Sequence, residues 1–506
     1  MSFTPSLQDF QNRYDQGDGQ VVYTEIVADL ETPVSAYMKL TDGRPNCFLL
    51  ESVEGGAIRG RYSFIGMKPD LIWRAQGNRA EINRSARFDP DAFEPCPDPT
   101  LESFRKLLAE IHIDLPQELP PMSAGLFGYM AYDTVKLMER LPSGNRDALG
   151  VPDALFVRPT VIAIFDSVRD MVTIVTPVWP ESGVGARQAY ARACERLADA
   201  VADFDRALPH NRSATEDIGT LPEPTSNTTR AEYHAMVERA KEYIRAGDIF
   251  QIVPSQRFEV PFTLPPLALY RALRRTNPSP FMYFLDFGDF SVVGSSPEIL
   301  VRVRDGEVTV RPLAGTRPRG ATPAEDVALA EDLLSDPKEL AEHLMLLDLG
   351  RNDVGRVSKI GSVKVTEKFV IERYSHVMHI VSNVTGELDD ENHDALDALI
   401  GGFPAGTVSG APKVRAMEII EELEKDKRHL YAGGIGYFSA DGAMDTAIVL
   451  RTAVVKDGVM YVQAGGGVVA DSDPEAEYQE TVNKAKALMR AAEEAVRYAN
   501  RSGNMR

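Results

Sequence analysis

A chain of 506 residues, 43% of them hydrophobic, is long enough to bury one or two large cores, yet it contains no apolar run long enough to span a bilayer. Its net charge of −20 at pH 7 argues against nucleic acid or an anionic membrane as a partner. Three cysteines, none beyond position 194, exclude a disulfide framework, and the absence of a charged-then-apolar leader favours the cytoplasm.

The first part of the chain is predicted to be rich in strands after a polar start at residues 1–20. Residues 157–165 and 171–176 predict a hairpin, and 185–208 an amphipathic helix. The earlier strand-like runs, each bounded by turn residues, are 35–39, 47–51, 62–65, 71–74 and 122–130.

Residues 209–228 are polar and proline-containing and show no apolar periodicity, so they predict the main linker. It separates a first unit, 20–208, from a second unit, 229–495. The second unit opens with a helix that Thr229 caps and that runs to about Ala246.

Glycine-rich loops in the second unit are candidate anion sites. The loop 401–413 ends in a helix that opens at Pro412, where free N–H groups favour an anion, although many such loops are only structural. A second glycine nest, 465–467, precedes the last helix. His379 lies on the apolar segment 377–381, where a single histidine is more often a satisfied core residue than a catalyst.

Two carboxylates on one apolar helix are the most unusual local feature. Asp336 and Pro337 predict a helix start and Gly350 its stop, with apolar residues around nearly the whole circumference. Glu339 and Glu342 lie three apart on this helix, so they share a face and require a compensating positive charge. The alternative is that Glu339 closes a capping box and Glu342 reaches solvent.

The same pattern recurs near the end of the sequence. Asp473 and Pro474 open a second helix, which carries Glu477 and Glu480, again three apart. The two pairs could face each other across one cavity. Four carboxylates without clustered cysteine or histidine suit Mg²⁺, which prefers oxygen donors and keeps waters that an anionic substrate can replace.

Four long motifs, at residues 312–320, 342–353, 406–417 and 463–469, match one known family. Over about 25–490 the chain resembles the chorismate-binding enzymes, and within them the aminase subunits (component I) of anthranilate synthase. The resemblance implies an α+β fold in which large β-sheets form an orthogonal sandwich with helices outside, and an active site in a cleft of the C-terminal portion.

The resemblance also implies roles for individual residues. Glu342 and Glu480 match the ligands of Mg²⁺, with Glu339 and Glu477 in the same shell, partly through waters; the metal holds the ring carboxylate of chorismate. Glu298 corresponds to the general acid that protonates the departing 4-hydroxyl. Two further matches, linked to the later loss of pyruvate, are His379 and Thr407. The matching substrate-binding positions are Gln251, Gly315, Thr316, Tyr431, Arg451, Gly465, Gly466, Gly467 and Lys484.

Two positions bear on the nucleophile. Family members that add water carry a lysine base where this chain has Gln251, and aminodeoxychorismate synthases typically carry a nucleophilic lysine where this chain has Ala314. The absence of both lysines favours ammonia as the nucleophile.

A regulatory site is implied as well. Taken alone, residues 49–52 look like an ordinary strand edge. By resemblance, the positions that match the feedback site for L-tryptophan are Glu51, Ser52, Pro280, Phe281 and Met282. Phe281 replaces a tyrosine that is often found there.

The implied activity is conversion of chorismate and ammonia to anthranilate and pyruvate in L-tryptophan biosynthesis, without an organic cofactor. None of the three cysteines sits in a glycine-flanked nucleophile elbow, so ammonia from glutamine requires a separate glutamine amidotransferase subunit (component II). One alternative, aminodeoxychorismate synthase component I, is disfavoured by Ala314. The other, a catalytically dead tryptophan-binding subunit, is disfavoured by the retained acidic residues.

Overall fold

The computed structural model describes residues 2–54, 58–208, 219–374 and 377–504. The α-helices in these ranges are α1 (Leu7–Tyr14), α2 (Pro33–Thr41), α3 (Thr100–Glu110), α4 (Ala186–Phe204), α5 (Arg230–Ala246), α6 (Pro266–Thr276), α7 (Pro323–Ser335), α8 (Pro337–Gly355), α9 (Ala395–Gly402), α10 (Lys413–Leu423) and α11 (Pro474–Asn504). Among them, none is long and apolar enough to cross a membrane.

The strands of the same ranges are β1 (Gln20–Val27), β2 (Cys47–Glu54), β3 (Ile58–Gln76), β4 (Arg79–Asn83), β5 (Glu94–Pro95), β6 (Gly125–Met130), β7 (Ala154–Asp166), β8 (Met171–Val178), β9 (Thr225–Ser226), β10 (Gln251–Ile252), β11 (Ser255–Pro261), β12 (Phe281–Asp286), β13 (Phe290–Ser296), β14 (Ile299–Arg304), β15 (Glu307–Val310), β16 (Leu313–Pro318), β17 (Lys364–Arg373), β18 (Val377–Glu387), β19 (Gly410–Ala411), β20 (Gly434–Ser439), β21 (Met444–Ile448), β22 (Thr452–Lys456) and β23 (Val459–Gly465).

All of these strands except β10 and β19 belong to one continuous antiparallel sheet, whose two halves meet at the long neighbouring strands β3 and β7. One half continues from β3 through β2, β12, β13, β22, β23 and β11. The other half continues from β7 through β6, β20, β21, β14, β15 and β18, where β16 and β17 also pair. The predicted α+β class, with large sheets and helices outside them, is confirmed.

Strands of the first predicted unit are inserted among those of the second. Ser52 on β2 pairs with Phe281 on β12, which pairs in turn with Ser296 on β13. One hydrophobic core likewise joins Leu197 of α4 to Leu488 of α11. The division into two units therefore stays a prediction about sequence segments, which share sheets and core; linker residues 209–218 lie outside the described ranges.

Several local predictions are confirmed and others are wrong. The hairpin forms as β7 and β8, and Thr229 caps α5 through a capping box with Glu232. The predicted strand 35–39 is helical, because Thr32 and Ser35 form a capping box and Pro33 occupies the first turn of α2. The separate strands predicted at 62–65 and 71–74 are parts of β3.

Helix α8 is longer and less enclosed than its sequence predicts. It continues past Gly350 to Gly355, because burial of Leu346, Leu347 and Val354 offsets the weak helix propensity of glycine. Leu344 on the opposite face is 46% exposed, so the prediction of burial on nearly all sides is wrong. The helix packs along β16 and β18, and its first turns carry Glu339 and Glu342.

Candidate active site

The two glutamate pairs are fixed by the starts of helices α8 and α11. Asp336 caps α8, accepting hydrogen bonds from the backbone N–H groups of Lys338 at 3.0 Å and Glu339 at 3.4 Å. Asp473 does the same for α11 by accepting from the N–H of Ala476 at 2.9 Å. The two glutamates of each pair lie three residues apart in the opening turns, so each helix presents two carboxylates on one face.

The glycine nest at residues 465–467 lies between the two pairs. Gln251 donates from Nε2 to Oε1 of Glu342 at 2.8 Å, and a Cβ on Gly467 would lie 2.9 Å from that nitrogen. A Cβ on Gly466 would lie 3.1 Å from Oε2 of Glu477. The structure thus brings Gln251, the nest and both helix starts together, and glycine leaves the room for their close approach.

The carboxylates crowd one another. Burial raises the pKa of Glu342, and the neighbouring charges of Glu339 and Glu480 raise it further. Burial also raises the pKa of Glu477, with Glu480 adding to the effect. Oε1 of Glu477 accepts from Ser472 at 2.7 Å, but the buried Oε2 has no hydrogen-bond partner in the described ranges.

A hard cation fits this arrangement. Arg317 lies 3.4 Å from Glu339 and Lys484 lies 2.7 Å from Glu480, whereas Glu342 and Glu477 form no ion pair with any described residue. Across the described residues, no three carboxylate or histidine side chains already converge in one coordination shell. Oxygen donors of this kind suit Mg²⁺, which is usually bound through one or two carboxylates and keeps several waters.

Glu298 is held as a neutral acid. It immediately precedes β14, is only 5% exposed, and burial raises its pKa from 4.5 to about 8. The hydroxyl of Thr407 lies 3.2 Å from both carboxyl oxygens, and the N–H of Leu313 donates to Oε1 at 3.4 Å. Glu298 is therefore protonated at neutral pH and oriented by two donors.

His379 is neutral, with one ring nitrogen free. Its Nδ1 lies 2.9 Å from the carbonyl oxygen of Gly315 and 3.1 Å from Oγ1 of Thr316. Because a carbonyl oxygen can only accept a hydrogen bond, Nδ1 carries the proton. Gly315 has a φ of +69°, a conformation that favours glycine. Burial lowers the pKa of His379 to about 4, and the buried Nε2 has no hydrogen-bond partner in the part of the chain described. Nε2 thus offers a lone pair to a ligand.

The remaining predicted substrate positions supply cations and a phenol. Lys484 donates to the carbonyl of Gly465 at 2.9 Å, and a Cβ on Gly465 would lie 2.6 Å from the Tyr431 hydroxyl. Arg451 forms no ion pair within the described ranges, and burial lowers its pKa. Because an arginine stays charged even so, its guanidinium is available to a carboxylate.

Sequence reasoning missed a buried ion pair that links the segments around residues 253–255 and 408. Arg428 and Glu424 form a fully buried ion pair, and Arg428 also donates to the carbonyls of Val408 at 2.8 Å and Val253 at 2.6 Å. Glu424 in turn accepts from the N–H and hydroxyl of Ser255, each at 2.8 Å. The i, i+4 spacing could have indicated the pair, but its carbonyl partners are distant in sequence.

The predicted tryptophan positions line a separate part of the site. A cavity of about 740 Å³ lies against strands of both halves of the large sheet, and all five of these residues line it together with Glu298. Glu51 is already engaged: Arg274 donates to Oε2 at 2.6 Å and to Oε1 at 2.8 Å, and Tyr270 also bonds Oε2. Any ligand ammonium must therefore share or displace these partners.

The class of the protein follows from its similarity to known proteins. A match to the chorismate binding enzyme family covers residues 45–490, and the chain belongs to that family. It is similar to anthranilate synthase component 1 of Cereibacter sphaeroides, 63% identical over 499 residues and covering 99% of each chain. The same-named protein of Pseudomonas aeruginosa is 50% identical over 475 residues, which are 92% of this chain and 94% of that one.

A solved structure with the same name as these relatives has a similar fold. The crystal structure of anthranilate synthase component I from Streptococcus pneumoniae matches with a TM-score of 0.74 at 37% identity, covering 92% of this chain and 98% of the other. The predicted family and the predicted fold are both confirmed.

Proposed function

We propose that this chain is the aminase subunit of an anthranilate synthase, which converts chorismate and ammonia to anthranilate and pyruvate. The observation that carries the proposal is the buried Glu298, whose pKa of about 8 keeps a proton available at neutral pH. The names of the most similar relatives support the same activity. Ala314, buried on β16, offers no amine nucleophile of its own, which disfavours an aminodeoxychorismate synthase.

In the first step, ammonia forms a bond to ring carbon 2 while the bond from carbon 4 to its hydroxyl breaks. Glu298 gives its proton to the departing hydroxyl, which leaves as water, and the ammonium group formed at carbon 2 then loses one proton, which restores the acid. Bound Mg²⁺ would neutralise the substrate carboxylate and make the ring more electrophilic, with Glu342, Glu480, Glu339 and Glu477 as the residues that hold it. Arg451 and Lys484 add positive charge for the substrate's carboxylates.

In the second step, a proton leaves carbon 2, the bond between carbon 3 and the side-chain oxygen breaks, and the ring becomes aromatic. The side chain departs as an enolate, which takes up one proton at its methylene carbon and becomes pyruvate. Nε2 of neutral His379 has the free lone pair that a base needs. Thr407 lies against Glu298, so we infer that it acts by orienting that acid.

Ammonia must come from outside this chain. Glutamine hydrolysis requires a reactive thiolate, but burial raises the pKa of Cys47 to about 12 and also raises that of Cys194. Cys96 lies between two prolines and not at a strand-to-helix elbow. We therefore assign glutamine hydrolysis to a separate amidotransferase subunit.

The purified chain is expected to form anthranilate and pyruvate in equal amounts from chorismate, Mg²⁺ and an ammonium salt. The rate should rise with pH as ammonium loses its proton, until Glu298 ionises. Product identification by chromatography and mass spectrometry checks both compounds. An amino product that retains the pyruvyl side chain would contradict the proposal, as would turnover of glutamine by a preparation free of any partner.

L-Tryptophan is expected to bind the cavity that Glu298 lines and to inhibit the enzyme. Ser52→Ala should raise the inhibitory concentration roughly fivefold through loss of one hydrogen bond, with kcat unchanged. The matched control is Ser63→Ala on the neighbouring strand, since Ser63 does not line the cavity. Isothermal titration that detects no binding to the wild type without chorismate would sink this part of the proposal.

A further inference from the structure

A second cavity, of about 450 Å³, lies in the first half of the chain and shares no lining residue with the cavity that Glu298 lines. Its walls are α4, the end of β8 with the following turn, the turn after α1, strands β3 and β7, and the end of α3. Its volume falls within the range of roughly 300–1,000 Å³ that is usual for small-molecule sites.

Three carboxylates and three arginines line this cavity, and one of the arginines has no ion pair. The carboxylates are each paired with an arginine: Asp70 with Arg158, Glu181 with Arg192, and Glu110 with Arg84, which lies outside the lining. The third lining arginine, Arg196, has no ion pair within the described ranges. Arg196 is therefore the lining cation that is open to a direct contact with an anion.

Arg196 is also short of hydrogen-bond partners. Its Nε donates to the hydroxyl of Thr176 at 2.9 Å, while Nη1 and Nη2 have no hydrogen-bond acceptor among the described residues. The side chain is partly buried; burial lowers its pKa, as do the nearby charges of Arg87 and Arg192, whereas the carboxylates of Asp70 and Glu181 raise it without bonding to it. Because arginine remains charged, a partly buried guanidinium whose two Nη groups lack acceptors is costly, and an anion bonded to them would lower that cost.

We propose that this cavity binds a small molecule through one carboxylate or phosphate group, which accepts two hydrogen bonds from the guanidinium of Arg196. The planar fork of arginine matches two oxygens of such a group. Ala189, Arg192 and Arg196 are spaced three and four apart, so they lie on one face of α4 toward the cavity. Trp179 forms an aromatic wall, held by a hydrogen bond from Nε1 to the carbonyl of Ile111 at 3.2 Å.

Trp179 provides the readout. The chain has two tryptophans, and the other, Trp73, is fully buried against Phe104, so a change in emission on titration reports on the cavity. Inorganic phosphate and acetate would be titrated separately, with chloride at matched ionic strength as the screening control. We expect a saturable change with at least one oxyanion, absent in chloride and lost in Trp179→Phe.

Arg196→Gln should weaken oxyanion binding roughly 10- to 100-fold, because it removes a charged, two-point contact. Arg187→Gln is the matched control, since Arg187 is exposed on the same helix and does not line the cavity. Thermal unfolding gives a second readout: phosphate or acetate should raise Tm for the wild type and Arg187→Gln, but not for Arg196→Gln. In chloride, Arg196→Gln should be no less stable than the wild type.

Saturation by phosphate alone would assign a phosphorylated ligand, and saturation by acetate alone a carboxylate; either result supports the site. An equal response in chloride, or unchanged oxyanion affinity in Arg196→Gln, would overturn it. If Arg196→Gln does not fold, Arg196→Lys keeps the charge but loses the fork, and wild-type affinity in that variant would overturn the two-point contact. The site is independent of the proposed reaction, so either can fail alone.

Discussion

Glu298→Gln is expected to lower kcat by roughly 10²- to 10⁴-fold, the range for loss of a general acid, and to make the protein more stable at alkaline pH. Burial raises the pKa of Glu298 from 4.5 to about 8. The carboxyl therefore holds its proton more tightly when folded, and the stability it contributes is present below pH 4.5 and declines as pH rises to about 8. Glutamine has no proton to lose, so this decline should disappear.

Steady-state kinetics and thermal unfolding across that pH range check both effects. Glu307→Gln is the control, because Glu307 is exposed at the start of β15 and should change neither quantity. For the wild type, kcat/KM for chorismate at a fixed concentration of free ammonia should fall above about pH 8 as Glu298 ionises. A variant with wild-type turnover would remove Glu298 from the proposed reaction.

Sequence reasoning reached the parts of the site that depend on local spacing. An Asp-Pro pair marks the start of α8 and of α11, and the i, i+3 glutamates then follow from helix geometry. The glycine nest at 465–467 could also be predicted locally, because only glycine lets other groups approach the backbone closely. The convergence of the two helix starts on that nest depends on the whole fold, so the sequence supports it only as a hypothesis.

What sequence reasoning missed depends on contacts between distant segments. Arg274 occupies both oxygens of Glu51 across 223 positions of sequence, and no local pattern at Glu51 indicates this. Strand β2 is inserted between β3 and β12, which mixes the two predicted units, because pairing between strands is set by the whole sheet. At residues 35–39, a capping box outweighed strand-like composition.

The glutamate pairs predict a second large effect. Glu342→Gln and Glu480→Gln should each abolish turnover and weaken Mg²⁺ binding by roughly 10- to 100-fold or more, because each removes an anionic oxygen from the proposed shell. Folding should survive, since loss of one charge relieves the repulsion that raises the pKa of Glu342. Isothermal titration of Mg²⁺, with and without chorismate, measures binding apart from activity. Wild-type binding by both variants would show that these glutamates serve only the helix starts.

The matched control for this pair of variants is Glu475→Gln. Glu475 lies in the first turn of the same helix as Glu480 but pairs with Arg230 and His234, away from the glycine nest. It should keep wild-type Mg²⁺ affinity and turnover.

Mg²⁺ binding by the wild type should also weaken as pH falls, beginning above the ordinary pKa range of glutamate. Burial raises the pKa of Glu342 and Glu477, so protons compete with the ion for these carboxylates. Binding that is independent of pH across this range would place the ion elsewhere.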